Sequence, residues 1–224
     1  MVGEPFYELD GQIAVDLPGA RAVFTTARWG DIRETCAQIS ERLGVQAVHA
    51  HQVHGTAVVQ LDLAPSTATL PVEADALITA LTGIAPMVIT ADCVPVVVSA
   101  GEAVGAIHAG WKGLRDGVID AGVARIKQLA PGAPLVAAIG PAAGVCCYEV
   151  GEEVHAVFAS AGEGLRDGQN LDLKAIASKQ LTDMGVSEIH DAGLCTICSA
   201  PDLLFSHRRD GLHAGRQGAI TWLT

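Results

Sequence analysis

The stretch Thr90–Gly113, "TADCVPVVVSAGEAVGAIHAGWKG", decides how the rest of the chain is read. Two apolar runs, "VPVVVS" and "AVGAIH", flank a short Ala-Gly-Glu segment, which is the pattern of a β-hairpin buried on both faces. A two-residue turn at Ala100-Gly101 would set Ser99 against Glu102. Counting outward then sets Cys93 against His108 on one face, with Cβ atoms roughly 4.5 to 5.5 Å apart. The glycines of "AGWKG" let the chain turn sharply just beyond His108 and approach a ligand closely. Strand ends that open into such loops are common places for chemistry. Spacing alone leaves two readings open, a buried thiol beside a satisfied histidine, or a reactive or metal-binding pair.

A third element lies upstream in "HAHQVHGTAVV". His49 and His51 share one face of an extended segment, whereas His54 precedes Gly55 at a loop. Read alone, these histidines suit an exposed polar edge better than any particular metal site. Joined to Cys93 and His108, His54 completes a Cys-His-His set suited to zinc, with the fourth position open to water.

The surrounding chain predicts a mixed α and β protein. "DIRETCAQISERLG" has Asp31 as N-cap, Ile32, Cys36, Ile39 and Leu43 on one face, and Gly44 as its stop. A second helix is expected through Leu114, Val118, Gly122, Ile126 and Leu129, and a third from Leu173 to Met184. Strands are expected at "AVFTT", "VQAVHA", "TAVVQL", "ADALIT", "PMVIT", "PLVAAIG" and "GAITWLT", besides the hairpin. No repeat or linker divides the 224 residues, so one domain over 1–224 is expected.

Composition excludes some functions. A formal charge of −11 argues against nucleic acid or an anionic membrane surface as a general partner, so any phosphate site must be local. No apolar run is long enough to span a bilayer, and the N-terminus lacks the pattern of an export signal. These features predict a soluble, cytoplasmic protein, monomeric or a small homo-oligomer, with its six cysteines reduced. "CTIC" is a C-x-x-C pair, Cys195 and Cys198, without a second such pair, and that spacing argues against a structural zinc. Cys146 and Cys147 are adjacent, so in an extended segment at most one would face a given pocket.

"HQVHGTAVV", "EADALIT", "TADCVPVVV", "GAIHAGWKGL", "IGPAAGVCCYEVGEEV", "NLDLKAIASKQL" and "FSHRRDGLHAGRQGAI" together resemble the laccase-domain proteins of the YfiH type. These are called polyphenol oxidases or purine nucleoside phosphorylases. The resemblance implies an α+β chain forming a single four-layer α/β/β/α domain with mixed sheets. It also implies that His54, Cys93 and His108 are a zinc-binding catalytic triad. The implied activity is phosphorolysis of adenosine, inosine, guanosine and methylthioadenosine, with adenosine deamination as well. Purine nucleosides and phosphate are the implied partners, and Cys147-Tyr148-Glu149 a conformational feature near the site. The chain departs from the family where "FTTARWGDIRE" enters its helix at once. The family arginine and long loop usual at that point are displaced or absent, which puts an anion-binding role for Arg28 in doubt.

Candidate roles follow from chemistry. Asp75 and Asp92 are candidate proton carriers or substrate contacts, although each also suits a structural role. Lys112, Arg208, Arg209 and Arg216, near glycine-containing segments, are candidate phosphate contacts, and Trp111 a surface for a purine base. Two other classes stay in view. A Cys-His hydrolase would use Cys93 as a thiolate activated by His108, and the family resemblance implies peptidoglycan precursors as its substrates. A copper-dependent phenol oxidase is disfavoured, because multicopper sites draw on repeated His-x-His pairs and the chain has a single one, His49-Ala50-His51.

Overall fold

A computed structural model describes residues 3–224. Fifteen strands run in chain order. They are β1 (Tyr7–Leu9), β2 (Gln12–Leu17), β3 (Ala20–Phe24), β4 (Gln46–His51), β5 (Val58–Leu61), β6 (Thr69–Glu73), β7 (Ala76–Thr79) and β8 (Ile84–Thr90). The rest are β9 (Val94–Ser99), β10 (Val104–Ala109), β11 (Val136–Ile139), β12 (Arg166–Asp167), β13 (Asn170–Leu171), β14 (Glu188–Asp191) and β15 (Gln217–Leu223). The helices are α1 (Ile32–Leu43), α2 (Trp111–Asp116), α3 (Val118–Leu129), α4 (Glu152–Val157), α5 (Leu173–Asp183) and α6 (His207–Asp210).

Two mixed sheets carry the fold. The seven-stranded sheet has the order β1-β2-β3-β15-β8-β4-β6, and the six-stranded sheet the order β14-β11-β9-β10-β7-β5. Alternation along the strands explains why they stack. In β9, Val97 joins the core between the sheets, with Phe24, Val88 and Ala219 from the other sheet. Val96 and Val98 point the opposite way, into the core under the helices, with Ile119, Val123, Ile126 and Leu181. On the far side, Ile32 and Ile39 of α1 pack on Val23, Met87 and Ile220. The layers are therefore α/β/β/α, as the resemblance implied. Among the described residues no helix is long and apolar enough to cross a membrane.

Every strand expected from sequence forms, and α1 has the expected ends: Asp31 accepts from the Arg33 N–H at 3.0 Å, and Gly44 closes the helix at φ 67°. Two expectations are corrected. The second helix is broken into α2 and α3 at Gly117, whose φ of 91° no helix accommodates. The hairpin register also differs. Ser99 pairs with Val104, not Glu102, and His108 pairs with Pro95, not Cys93. The Ser99 hydroxyl accepts from the Gly101 N–H, the Ala100 N–H bonds back to the Ala103 carbonyl, and the loop therefore takes four residues instead of two. The shift is even. A slip by one would have turned His108 to the other face, but a slip by two keeps every side chain on its face. His108 thus stays in the row of Val104 and Ala106, directed between the sheets.

Candidate active site

Asp75, just ahead of β7, organises the site. It is fully buried, and its carboxylate accepts from the backbone N–H groups of Val53 (3.2 Å), His54 (3.0 Å) and Gly55 (2.7 Å). It also accepts from Nδ1 of His108 at 2.7 Å. One acid therefore holds one histidine by its ring and another by its backbone. Three amides and a ring N–H offset the desolvation of a buried charge, so the carboxyl stays below its ordinary range although burial pulls it up. Because Nδ1 of His108 carries the proton shared with Asp75, Nε2 is left to face the cluster.

His54, Cys93 and His108 each offer a donor atom, all within 4.8 Å of one another. The two imidazoles meet edge-on, with centroids 4.9 Å apart. Backbone strain helps to place them: His54 has φ 60° and Asp92, beside Cys93, has φ 91°. Such values are rare for non-glycine residues and gather at functional sites. Gly110 leaves the room. A Cβ there would lie 2.8 Å from Cδ2 of His54 and 3.1 Å from Sγ of Cys93. Two nitrogens and one sulfur, with a buried carboxylate behind one imidazole, make a donor set that fits zinc.

The electrostatics of the trio are strong. Burial pushes the Cys93 thiol up, but the charge of His108 and hydrogen bonds from His108 and His54 bring it down to about 6. Burial pulls His108 down, but the Cys93 thiolate and the Asp75 carboxylate raise it to about 9. These opposed shifts favour a thiolate-imidazolium pair between Cys93 and His108.

The trio opens into a cleft of about 780 Å³ lined by residues from both sheets. Trp111 and Lys112, at the start of α2, line it. So do Arg208 and Arg216. Asp92 lines it with both carboxylate oxygens engaged, accepting from the Thr196 hydroxyl at 2.5 Å and from the Arg208 N–H at 2.6 Å. Asp92 therefore shapes the wall. Asp75 lies behind the trio, not on the cleft, so its contribution is to position the histidines. Arg209 is the clear correction. Its guanidinium donates to the carbonyls of Thr196, Ser199 and Leu204 and to both carboxylate oxygens of Asp210, which uses all its N–H groups away from the cleft. Arg28 sits 3.7 Å from Glu8 and does not line the cleft either.

Arg33 and Tyr148 are among the lining residues not foreseen as contacts. Arg33 reaches the cleft from the first turn of α1, paired with Asp31. Tyr148 lies beneath the Arg208 guanidinium, 5.0 Å from its ring centre. The stacking of the two sheets that places Tyr148 on the same cleft as Arg33 and Arg216 has no counterpart in local spacing.

Known proteins resemble this one throughout. A family model described as multi-copper polyphenol oxidoreductase laccase matches residues 27–224. A Xylella fastidiosa protein named purine nucleoside phosphorylase is 39% identical over 203 residues, 84% of this chain and 76% of its own length. A Streptomyces coelicolor protein of the same name is 37% identical over 98% of this chain and 89% of its own. Among solved structures, a Neisseria meningitidis protein matches with a TM-score of 0.80 at 30% identity, covering 96% of this chain and 99% of its own. The Bacillus licheniformis protein YfiH shares the fold with a TM-score of 0.83 at 24% identity, covering 99% of this chain and 100% of its own.

Proposed function

The chain belongs to the family described as multi-copper polyphenol oxidoreductase laccase, and from that premise we propose that it is a zinc-dependent purine nucleoside phosphorylase. One observation carries the reading. In a chain of net charge −11, Lys112, Arg208 and Arg216 have no salt-bridge partner among the described residues, and all three line the cleft of the Cys-His-His trio. A local cationic wall is what a phosphate co-substrate requires. Trp111 and Tyr148 border the same cleft and offer aromatic faces to a purine.

In this reading Lys112, Arg208 and Arg216 hold phosphate beneath the ribose, and the aromatic rings orient the base. Asp75 keeps Nε2 of His108 directed into the site, and Cys93 supplies a thiolate. Zinc held by His54, Cys93 and His108 would supply Lewis-acid activation at an open coordination position. The substrates are adenosine, inosine, guanosine and methylthioadenosine, with adenosine deamination at the same trio. The test is product analysis with inosine and zinc-quantified protein. Hypoxanthine and ribose-1-phosphate are expected only with phosphate present, with activity lost on chelation and restored by zinc. Free ribose released at the same rate without phosphate would overturn the reading.

A second reading draws on the order Asp75, His108, Cys93, which follows the orienter, base and nucleophile of a cysteine hydrolase. Peptidoglycan precursors are the substrates to try. Hydrolysis that survives complete metal removal would favour it over the phosphorylase.

A further inference from the structure

The second cysteine group, which the spacing of "CTIC" argued against as a zinc site, is assembled by the fold. Strands β11 and β14 run parallel and end side by side, and their pairing continues as a bridge between Ala142 and Cys195. The loop after Ala142 does not stay extended. The N–H groups of Cys147 and Tyr148 both bond to the Gly144 carbonyl at 3.0 Å, and this turn brings the adjacent thiols of Cys146 and Cys147 to one place. The Ser199 N–H bonds to the Cys195 carbonyl at 3.1 Å, so the C-x-x-C segment is also a tight turn.

The four sulfurs of Cys146, Cys147, Cys195 and Cys198 lie within 4.8 Å of one another, and those of Cys146 and Cys198 are 3.7 Å apart. Sulfurs at the corners of a tetrahedron with metal bonds of about 2.3 Å stand about 3.8 Å from each other. A backbone amide already serves one of them. The Gly144 N–H donates to Sγ of Cys195 at 3.2 Å. A Cβ at Gly144 would approach Cβ of Cys195 to 3.1 Å and Sγ of Cys146 to 3.3 Å, so glycine lets the two loops close.

We propose that these four cysteines form a second metal site, a closed tetrathiolate centre holding zinc, separate from the His54, Cys93 and His108 trio. A disulfide would use two of the four thiols and leave the convergence of the others without a role. With four protein ligands and no open position the centre is structural. It ties the loop carrying Tyr148 to the loop carrying Thr196, the partner of Asp92, and so fixes one wall of the cleft.

The test is metal counting on the full chain, purified under reducing conditions with zinc. Cys146→Ser and Cys198→Ser change exposed positions. Each is expected to lose about one equivalent of zinc relative to wild type and to keep the equivalent that Cys93→Ala loses. Cobalt substitution of Cys93→Ala protein gives an independent readout, since all four cysteines remain. Intense thiolate-to-cobalt charge transfer with tetrahedral visible bands is expected, and it decides the matter even if the serine variants misfold. Unchanged zinc content in folded serine variants, a cobalt spectrum without thiolate bands, or a Cys146–Cys198 disulfide in freshly purified protein would overturn the proposal.

Discussion

Arg208 and Arg209 are neighbours in sequence with opposite fates. The guanidinium of Arg208 has one carbonyl partner, Glu149, and faces the cleft, whereas every N–H of Arg209 is taken inside the structure. Arg208→Ala keeps the backbone N–H that holds Asp92, so it is expected to leave the melting temperature nearly unchanged. Loss of a charge-assisted contact, about 1.5 to 3 kcal/mol, would raise the KM for phosphate roughly ten- to hundredfold. Arg209→Ala would leave three carbonyls unpaired and is expected to destabilise the fold by about 1 to 3 kcal/mol. Steady-state kinetics and thermal melts on both variants check the pair, and equal effects on phosphate KM would refute the division. Cys93 makes a prediction in pH. Its thiolate fraction rises as pH passes through the lowered value of about 6, so alkylation of metal-stripped protein should show a midpoint near there. His108→Ala removes the stabilising charge and leaves the burial, so the midpoint should move up. Zinc should suppress the reaction at all pH values, and a midpoint in the ordinary thiol range for the parent protein would contradict the ion pair.

Between β10 and α2 a single glycine keeps the trio together. Gly110 has φ −74°, a conformation open to any residue, so its requirement is space and not backbone freedom. Gly110→Ala is therefore expected to fold with a small loss of stability, yet to lower zinc affinity and turnover at least tenfold, because the methyl must displace His54 or Cys93. Zinc titration of the folded variant checks this, and wild-type affinity would show that the site tolerates the shift. Element by element, α1 and the buried strands other than β2 were legible in the sequence because their caps and apolar periodicity are local, whereas β2, buried along most of its length, was not among the expected strands. The break at Gly117 was not, since "LRDGVIDAGVARI" keeps a helical apolar face across it. The hairpin loop was misread by one pair because Ser99 caps its own turn through a side chain that alternation does not report. The short strands β1, β6, β12, β13 and β14 carry little apolar signal, being largely half-buried or exposed.

At the scale of the whole molecule, the two sheets share the core of Phe24, Val88, Val97, Val104, Val136 and Ala219. Phe24 is 1% exposed, and its ring lies where a Cβ at Gly140 would come within 2.2 Å. Neither sheet can shed this face to water alone, so residues 1–224 are expected to unfold as one unit, with a single calorimetric transition. Phe24→Ala should lower the stability of that one transition by about 3 to 5 kcal/mol. Two transitions, only one of them shifted, would divide the chain into two domains. By itself the sequence determined the mixed α and β class, the face shared by Cys93 and His108, and the motif set whose family resemblance implied the layers of the fold. It could do so because side-chain alternation and capping are written within a few residues of each other. The tertiary structure alone decided that Asp75 binds both histidines, that Arg209 is spent internally while Arg33 and Tyr148 reach the cleft, and that four scattered cysteines meet. Those outcomes depend on where the two sheets stack and on which donors are already satisfied there, and neither quantity is local in the chain.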